Sequence, residues 1–308
     1  MKILVMGAGA VGAYFGARLV QAGEDVYFCA RGENLRVLRE RGLELKSFKG
    51  DATLAVRATD RPGEFAPYDL ILFCVKSYDT MPAARALAGC LAPDSVVMTL
   101  QNGVENEDAL ATVFSRSAVM GGNARVGAEM VAPGKLVHTA AGIIEFGELD
   151  GSETPRALKF AEMFRRAGIL GELTHDLKTI RWYKLMGNNG TNPVSALGRC
   201  TVGESLNDPD GRALMRRLML EVVAVGRAEG AKMSEQDADR HLEQIGRHPN
   251  VNAIKPSTLQ DVERGKRLEY DAICGAVIRA ARRHGIDVPA TETVNALLKL
   301  LDAARERP

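Results

Sequence analysis

The sequence predicts an α/β protein, with a doubly wound parallel sheet in its first half and helices alone in its second. Three observations carry this expectation. Short, continuously apolar runs recur at residues 3–6, 26–30, 70–75 and 96–100, as in strands buried on both faces. Helical stretches lie between them, which is the βαβ rhythm of a parallel sheet. Beyond about Gly171 the apolar residues follow helical spacing only, as in Leu214, Met215, Leu218, Val222 and Val225. The chain of 308 residues is long enough for about two domains. A boundary at residues 168–173 is expected to divide an α/β domain, 1–171, from a helical domain, 172–308.

The elements follow in order. Residues 3–6 form the first strand, a glycine-rich turn follows, and a helix over 10–21 stops at Gly23. The second strand ends near Ala30. A helix over 82–91 separates the strands at 70–75 and 96–100. From 124 to 147 the texture changes to short alternating segments around Pro133-Gly134, which predicts antiparallel strands at one sheet edge. In the second half Ser234 and Asp237 form a capping box. A helix over 270–284 ends at Gly285.

Composition narrows the function. With 40 Lys+Arg against 39 Asp+Glu, the net charge of +1 gives no general attraction to nucleic acid or an anionic membrane. The five cysteines, Cys29, Cys74, Cys90, Cys200 and Cys274, are scattered and contain no C-x-x-C pair. They read as reduced thiols, which predicts a cytoplasmic protein rather than a disulfide frame or a zinc site. No apolar stretch reaches the roughly 20 residues of a membrane span. The five histidines make no H-x-x-x-H group, so no metal site is expected. Neither a G-x-S-x-G elbow nor a G-x-x-x-x-G-K-[ST] loop is present.

Gly7-Ala8-Gly9-Ala10-Val11-Gly12 is a G-x-G-x-x-G between the first strand and the first helix, the context a Rossmann-type dinucleotide turn requires. Gly7 makes the tight turn, Gly9 lets backbone approach a pyrophosphate, and Gly12 allows close helix packing. The helix N-terminus then receives the anion. About 20 residues on, where NAD enzymes carry an acid for the ribose hydroxyl, this chain has Arg31. An arginine offers charge and a planar fork to a 2′-phosphate, so the expected cofactor is NADP(H). Lys76, after the strand at 70–75, stands as a second positive charge for the same edge.

In the second half Lys184, Asn188 and Asn192 fall at i, i+4 and i+8, aligning an amine and two amides along one helix face. Pro193 predicts a kink or helix end beside Asn192. Trp182, Leu185 and Met186 flank the turn and imply partial burial, which would lower the lysine pKa and suit it to proton donation.

Lys184-Leu185 through Asn192-Pro193 reads K-L-x-x-N-x-x-x-N-P and resembles the ketopantoate reductases (2-dehydropantoate 2-reductases). So do residues 7–12, Cys74-Val75-Lys76, Gln101-Asn102-Gly103, residues 257–271, and His284-Gly285-Ile286 followed by Pro289. The resemblance covers almost the whole chain. It implies NADPH-dependent reduction of ketopantoate to pantoate, in pantothenate and coenzyme A synthesis. It further implies that Lys184 donates the proton, that Asn188 and Asn192 contact substrate, and that Ser257 binds near its carboxylate. Asn102 would lie between nicotinamide ribose and substrate, and Glu269 would be the active-site glutamate, in reach of cofactor. The chain departs from the family where Pro256-Ser257-Thr258 replaces Ser-Ser-Met and Leu268-Glu269-Tyr270-Asp271 replaces Thr-Glu-Ile-Asp. Val202 stands in place of an asparagine.

A related reductase of another small 2-keto or 3-hydroxy acid is the neighbouring reading, and a non-catalytic NADP-binding regulator is the reading from another class. A sensor needs no proton donor, so Lys184 speaks against the latter. The expected partner is thus a small keto acid, and any homodimer contact is expected in the helical half.

Overall fold

The computed structural model describes residues 1–305, which divide into two compact units. The first comprises Met1–Gln101 and Asn106–Leu177, and the second comprises Asn102–Glu105 with the chain from Lys178 onward. The expected boundary at 171/172 therefore moves to 177/178. The cause is a strand at Leu170–Leu173 that pairs with the sheet of the first unit.

That sheet has ten strands: β1 (Lys2–Met6), β2 (Asp25–Cys29), β3 (Leu43–Ser47), β4 (Ala52–Leu54), β5 (Arg57–Thr59), β6 (Tyr68–Phe73), β7 (Leu91–Thr99), β8 (Val119–Ala132), β9 (Lys135–Glu148) and β10 (Leu170–Leu173). Its order is β4-β3-β9-β8-β7-β6-β1-β2-β5, with β10 beside β9. The strands from β5 through β8 are parallel, with Ile3 opposite Val26 on one side and Leu70 on the other. This is a Rossmann-like arrangement with β1 at its centre. Successive residues of β1 alternate between two cores, as the period-2 geometry of a strand demands. Ile3 and Val5 pack with α1 (Ala10–Gln21), α2 (Gly32–Arg41) and α5 (Pro155–Arg166). Leu4 and Met6 pack with α3 (Thr80–Ala86) and α4 (Asn106–Ala111).

The β8–β9 hairpin turns at Pro133-Gly134, as its texture predicts, but it does not end the sheet. β3 pairs parallel with β9 and β4 pairs antiparallel with β3, so the edge lies two strands further out. Leu43 and Leu45 alternate with Glu44 and Lys46 and bury only the leucines, a signal too short to separate from the charged residues around it.

His138 on β9 lies in the first core, stacked between Tyr14 and Phe48. Its Nε2 faces the Ala140 carbonyl, so it carries the proton, and Nδ1 accepts from the Ser47 hydroxyl at 2.8 Å. Burial pushes its pKa below the usual value near 6.5. The unfolded chain therefore binds more protons than the native one as pH falls through that value. This contribution to stability is complete above about pH 6.5 and is lost on the acid side. His138→Phe is expected to flatten the fall in Tm between about pH 7 and pH 5. An unchanged slope would move the linkage elsewhere, for instance to His241, which burial shifts in the same direction.

The second unit is built from α6 (Leu177–Gly198), α7 (Val202–Asn207), α8 (Pro209–Ala228), α9 (Glu235–Gly246), α10 (Ser257–Glu263), α11 (Ala276–His284) and α12 (Pro289–Ala304). Trp182, Leu185, Met215, Leu218, Val222 and Val277 are among its core. The capping box at Ser234 and Asp237 forms, and Gly285 ends α11 at φ +64°. Five residues before α11, Asp271–Gly275, form a π-helical turn.

Pro193 does not end its helix. α6 runs on to Gly198, although proline cannot donate a backbone hydrogen bond. Side chains serve the turn before it: Thr191 Oγ1 donates to the Gly187 carbonyl at 2.9 Å, and Asn192 Nδ2 donates to that of Asn188 at 3.1 Å. Among the described residues no helix is long and apolar enough to cross a membrane.

Candidate active site

In the first unit the glycine turn leaves β1 at the C-terminal end of the parallel strands. Gly7 has φ +102°, and a Cβ there would meet Val75 N at 2.8 Å. The Gly7 and Ala8 amides donate to the Cys29 carbonyl, and Asn34 Nδ2 holds the Ala8 carbonyl at 3.1 Å. Gly12 is equally constrained, because a Cβ would sit 2.2 Å from the Gly7 carbonyl oxygen and 2.7 Å from Val5 Cγ1.

Gly9 differs. Its backbone is ordinary extended chain, φ −80° and ψ −170°, and a Cβ would meet nothing within 4 Å. No intramolecular contact requires glycine there. What the missing side chain leaves clear is the space before the first turn of α1, where Ala10 and Val11 lie and where Gly9 offers no side-chain cap. Open space at an uncapped helix N-terminus suits a pyrophosphate.

Arg31 ends the chain that leaves β2 and is the N-cap residue of α2. Its side chain is 70% exposed, with Asp79 at 3.4 Å. Asp79 lies in the short turn Ser77–Asp79 that Lys76 opens after β6. Because β2 and β6 flank β1, Arg31 and Lys76 come from the two strands on either side of the glycine turn. These residues fit a dinucleotide carrying an extra phosphate.

In the second unit Lys184 and Asn188 lie half-buried along α6, with Asn192 buried one turn further. Asn192 Oδ1 accepts from Ser257 Oγ at 3.1 Å and from the Thr258 amide at 3.0 Å. Its amide also donates to the Asn188 carbonyl, so most of its capacity goes to tying the start of α10 to α6. Ser257 is thereby fixed while remaining exposed. Glu269 is buried just before the π-helical turn, and its carbonyl accepts from Ala272 and Ile273. Asn102 opens the short segment Asn102–Glu105 in this same unit. A Cβ on Gly103 would meet the Ala272 carbonyl oxygen at 2.7 Å, so the segment lies against the turn that follows Glu269. Arg181, three residues before Lys184, donates through Nη2 to the Gly103 carbonyl. Burial pulls the Arg181 pKa down to about 9, which leaves it a cation at neutral pH. The unit thus gathers the chain stretches bearing Asn102, Lys184 and Glu269.

Residues 3–151 match the family model for ketopantoate reductase PanE/ApbA, and residues 176–302 match that for its C-terminal part. The chain belongs to the ketopantoate reductase family. The 2-dehydropantoate 2-reductase of Archaeoglobus fulgidus is 35% identical over 299 residues, covering 97% of each chain. Among solved structures, the 2-dehydropantoate 2-reductase of Geobacter metallireducens is similar at a TM-score of 0.93 and 35% identity, over 97% of this chain and 99% of that one. A PanE/ApbA family ketopantoate reductase of Ralstonia eutropha is similar at a TM-score of 0.91 and 34% identity, over the whole of both chains.

In this ketopantoate reductase chain Gln101 belongs to a stretch the sequence marks, whereas Asn189 is at no fixed position of a motif and Asp302 belongs to none. Gln101 is a strut in the first unit, donating through Nε2 to the Val75 carbonyl and to Thr80 Oγ1 at 3.0 and 2.8 Å. Asn189, fully buried between Asn188 and Asn192, ties α6 to Leu218 of α8 and Thr291 of α12. Asp302 accepts the Leu268 amide and so fixes the residue before Glu269. A buried asparagine inside a helix was the one signal open to a reader of the sequence, and only if burial had been known.

Proposed function

We propose that this chain reduces 2-dehydropantoate to pantoate with NADPH. The observation that carries the reading is a half-buried Lys184 on α6, in a ketopantoate reductase chain whose other unit keeps an open, uncapped helix start behind Gly9. When bound, the nicotinamide supplies a hydride to the ketone carbon. Negative charge then develops on the carbonyl oxygen, where the Lys184 ammonium stabilises it and gives up the proton that completes the hydroxyl. Overall, ketone, NADPH and one proton become alcohol and NADP⁺. Asn188 donates a hydrogen bond to the carboxylate end of the substrate, and Ser257 turns its hydroxyl proton there from Asn192 Oδ1, while the Thr258 amide keeps the start of α10 tied to Asn192. Asn102 and Glu269 orient the reactants by hydrogen bonding. Arg31 and Lys76 pair with the 2′-phosphate, and the first turn of α1 receives the pyrophosphate. The same reading carries a homodimer through the helical unit, where Leu297 and Leu300 stand 46% and 62% exposed on α12.

The test is NADPH oxidation with a panel of 2-keto acids. 2-Dehydropantoate is expected to give the highest kcat/KM, and a clear preference for another keto acid would overturn the substrate assignment. Cofactor choice is tested separately. Arg31→Ala removes the contact to the 2′-phosphate along with an exposed pairing to Asp79 that contributes little, so the KM for NADPH should rise on the order of tenfold while that for NADH stays put. An unchanged NADPH/NADH ratio would remove Arg31 from the cofactor site.

A further inference from the structure

The chain leaves the first unit after Gln101, gives four residues to the second, and returns at Asn106. A stretch of four residues has no secondary structure of its own to hold it. Side-chain contacts attach it, and one of them is a bidentate grip at its far end. Arg279 on α11 grips Glu105 with both arms of its fork, Nε to Oε1 at 3.1 Å and Nη2 to Oε2 at 2.6 Å. The guanidinium is braced in turn by Asp271, whose side chain accepts from Nη1 at 2.7 Å and whose carbonyl accepts from Nη2 at 3.0 Å. Isolated exposed ion pairs contribute little, but a bidentate, networked arginine is the exception, because its planar fork fixes geometry as well as charge. Arg181 holds the Gly103 carbonyl, and Val104 packs on the helical core. Gly103 adopts φ +97° against Ala272, a conformation that suits glycine.

We infer that Arg279 is a positioning residue: by gripping Glu105 it holds the segment that bears Asn102 on the helical unit, and so sets Asn102 for the keto acid. Neither Arg279 nor Glu105 is among the residues assigned to substrate or cofactor. The second half of the inference rests on the reading that Asn102 touches the reactants. Asp271, two residues beyond Glu269, opens the π-helical turn and is bonded to Arg279 on α11 through both its side chain and its carbonyl.

The experiment uses Glu105→Gln, which keeps shape and loses charge, in the full chain. Amide hydrogen exchange over residues 102–105 should quicken by about tenfold, with Tm nearly unchanged, because only the segment is released. Turnover gives the second readout. Glu105→Gln should lower kcat/KM for the keto acid about tenfold, and in an Asn102→Ala background the same substitution should cost almost nothing. Arg279→Lys, which keeps the charge but loses the fork, should exchange at an intermediate rate. Unaltered exchange in Glu105→Gln overturns the clamp, and equal losses in both backgrounds overturn its action through Asn102. If exchange quickens as expected but the unaltered chain turns over no 2-keto acid, the functional reading falls, and the second half of the inference falls with it.

Discussion

Lys184→Ala is expected to lower kcat for keto-acid reduction by on the order of 10²-fold or more, the usual scale for loss of a general acid. NADPH binding, read by fluorescence titration, should hardly change, because the glycine turn, Arg31 and Lys76 all belong to the other unit. Lys184→Arg sharpens the result. It preserves positive charge near the developing oxyanion, yet a guanidinium does not release its proton at working pH. If proton donation is the role, arginine restores substrate binding and leaves kcat low. If charge alone matters, arginine restores turnover. A Lys184→Ala chain that keeps more than about half of its kcat would remove Lys184 from the chemistry.

Gly9→Val should abolish most nucleotide affinity without harming the fold. Backbone at φ −80° accepts any residue, and nothing stands within 4 Å of the added Cβ. Tm should therefore stay close to that of the parent. The branched side chain fills the space before α1, and the Kd for NADPH should rise at least about tenfold, equivalent to roughly 1.4 kcal/mol. Gly12→Ala makes the opposite pattern, since its Cβ would collide with the Gly7 carbonyl and Val5 in the core. That variant should lose stability first and binding only as a consequence. Equal NADPH affinity in Gly9→Val and parent would show that the open space is not where the pyrophosphate lies.

The parts of this fold that could be read from the sequence are those whose cause is local. A four-residue apolar run followed by glycines specifies β1 and its turn, and the helix expected over 10–21 is Ala10–Gln21. The hairpin at Pro133-Gly134 was legible for the same reason. Where tertiary contacts decide, the sequence says less. Pro193 argues locally for a kink or a helix end, yet α6 runs on to Gly198, because the burial of residues on both sides of the proline outweighs the one backbone donor it lacks. β3 was missed because two leucines among charges say little until β9 is known to lie beside them. The candidate site divides in the same way. Lys184 and Asn188 share a helix face and announce themselves by spacing, whereas Arg181 and Arg279 find their partners 78 and 174 positions away. Ser257 could be named from the sequence, but its tether to Asn192, 65 positions earlier, could not.

Because four residues of the helical unit are encoded inside the gene segment for the other, this protein has no single cut that separates its two halves. A chimaera joined at 177/178 would take residues 178–308 from one parent and the Asn102–Glu105 stretch from the other. Glu105 would then face whatever the parent of residues 178–308 carries at the Arg279 position, and Gly103 would face a foreign residue at Ala272. Exchange of helical halves to redirect substrate choice has to carry this stretch along, as a two-piece graft rather than a fusion.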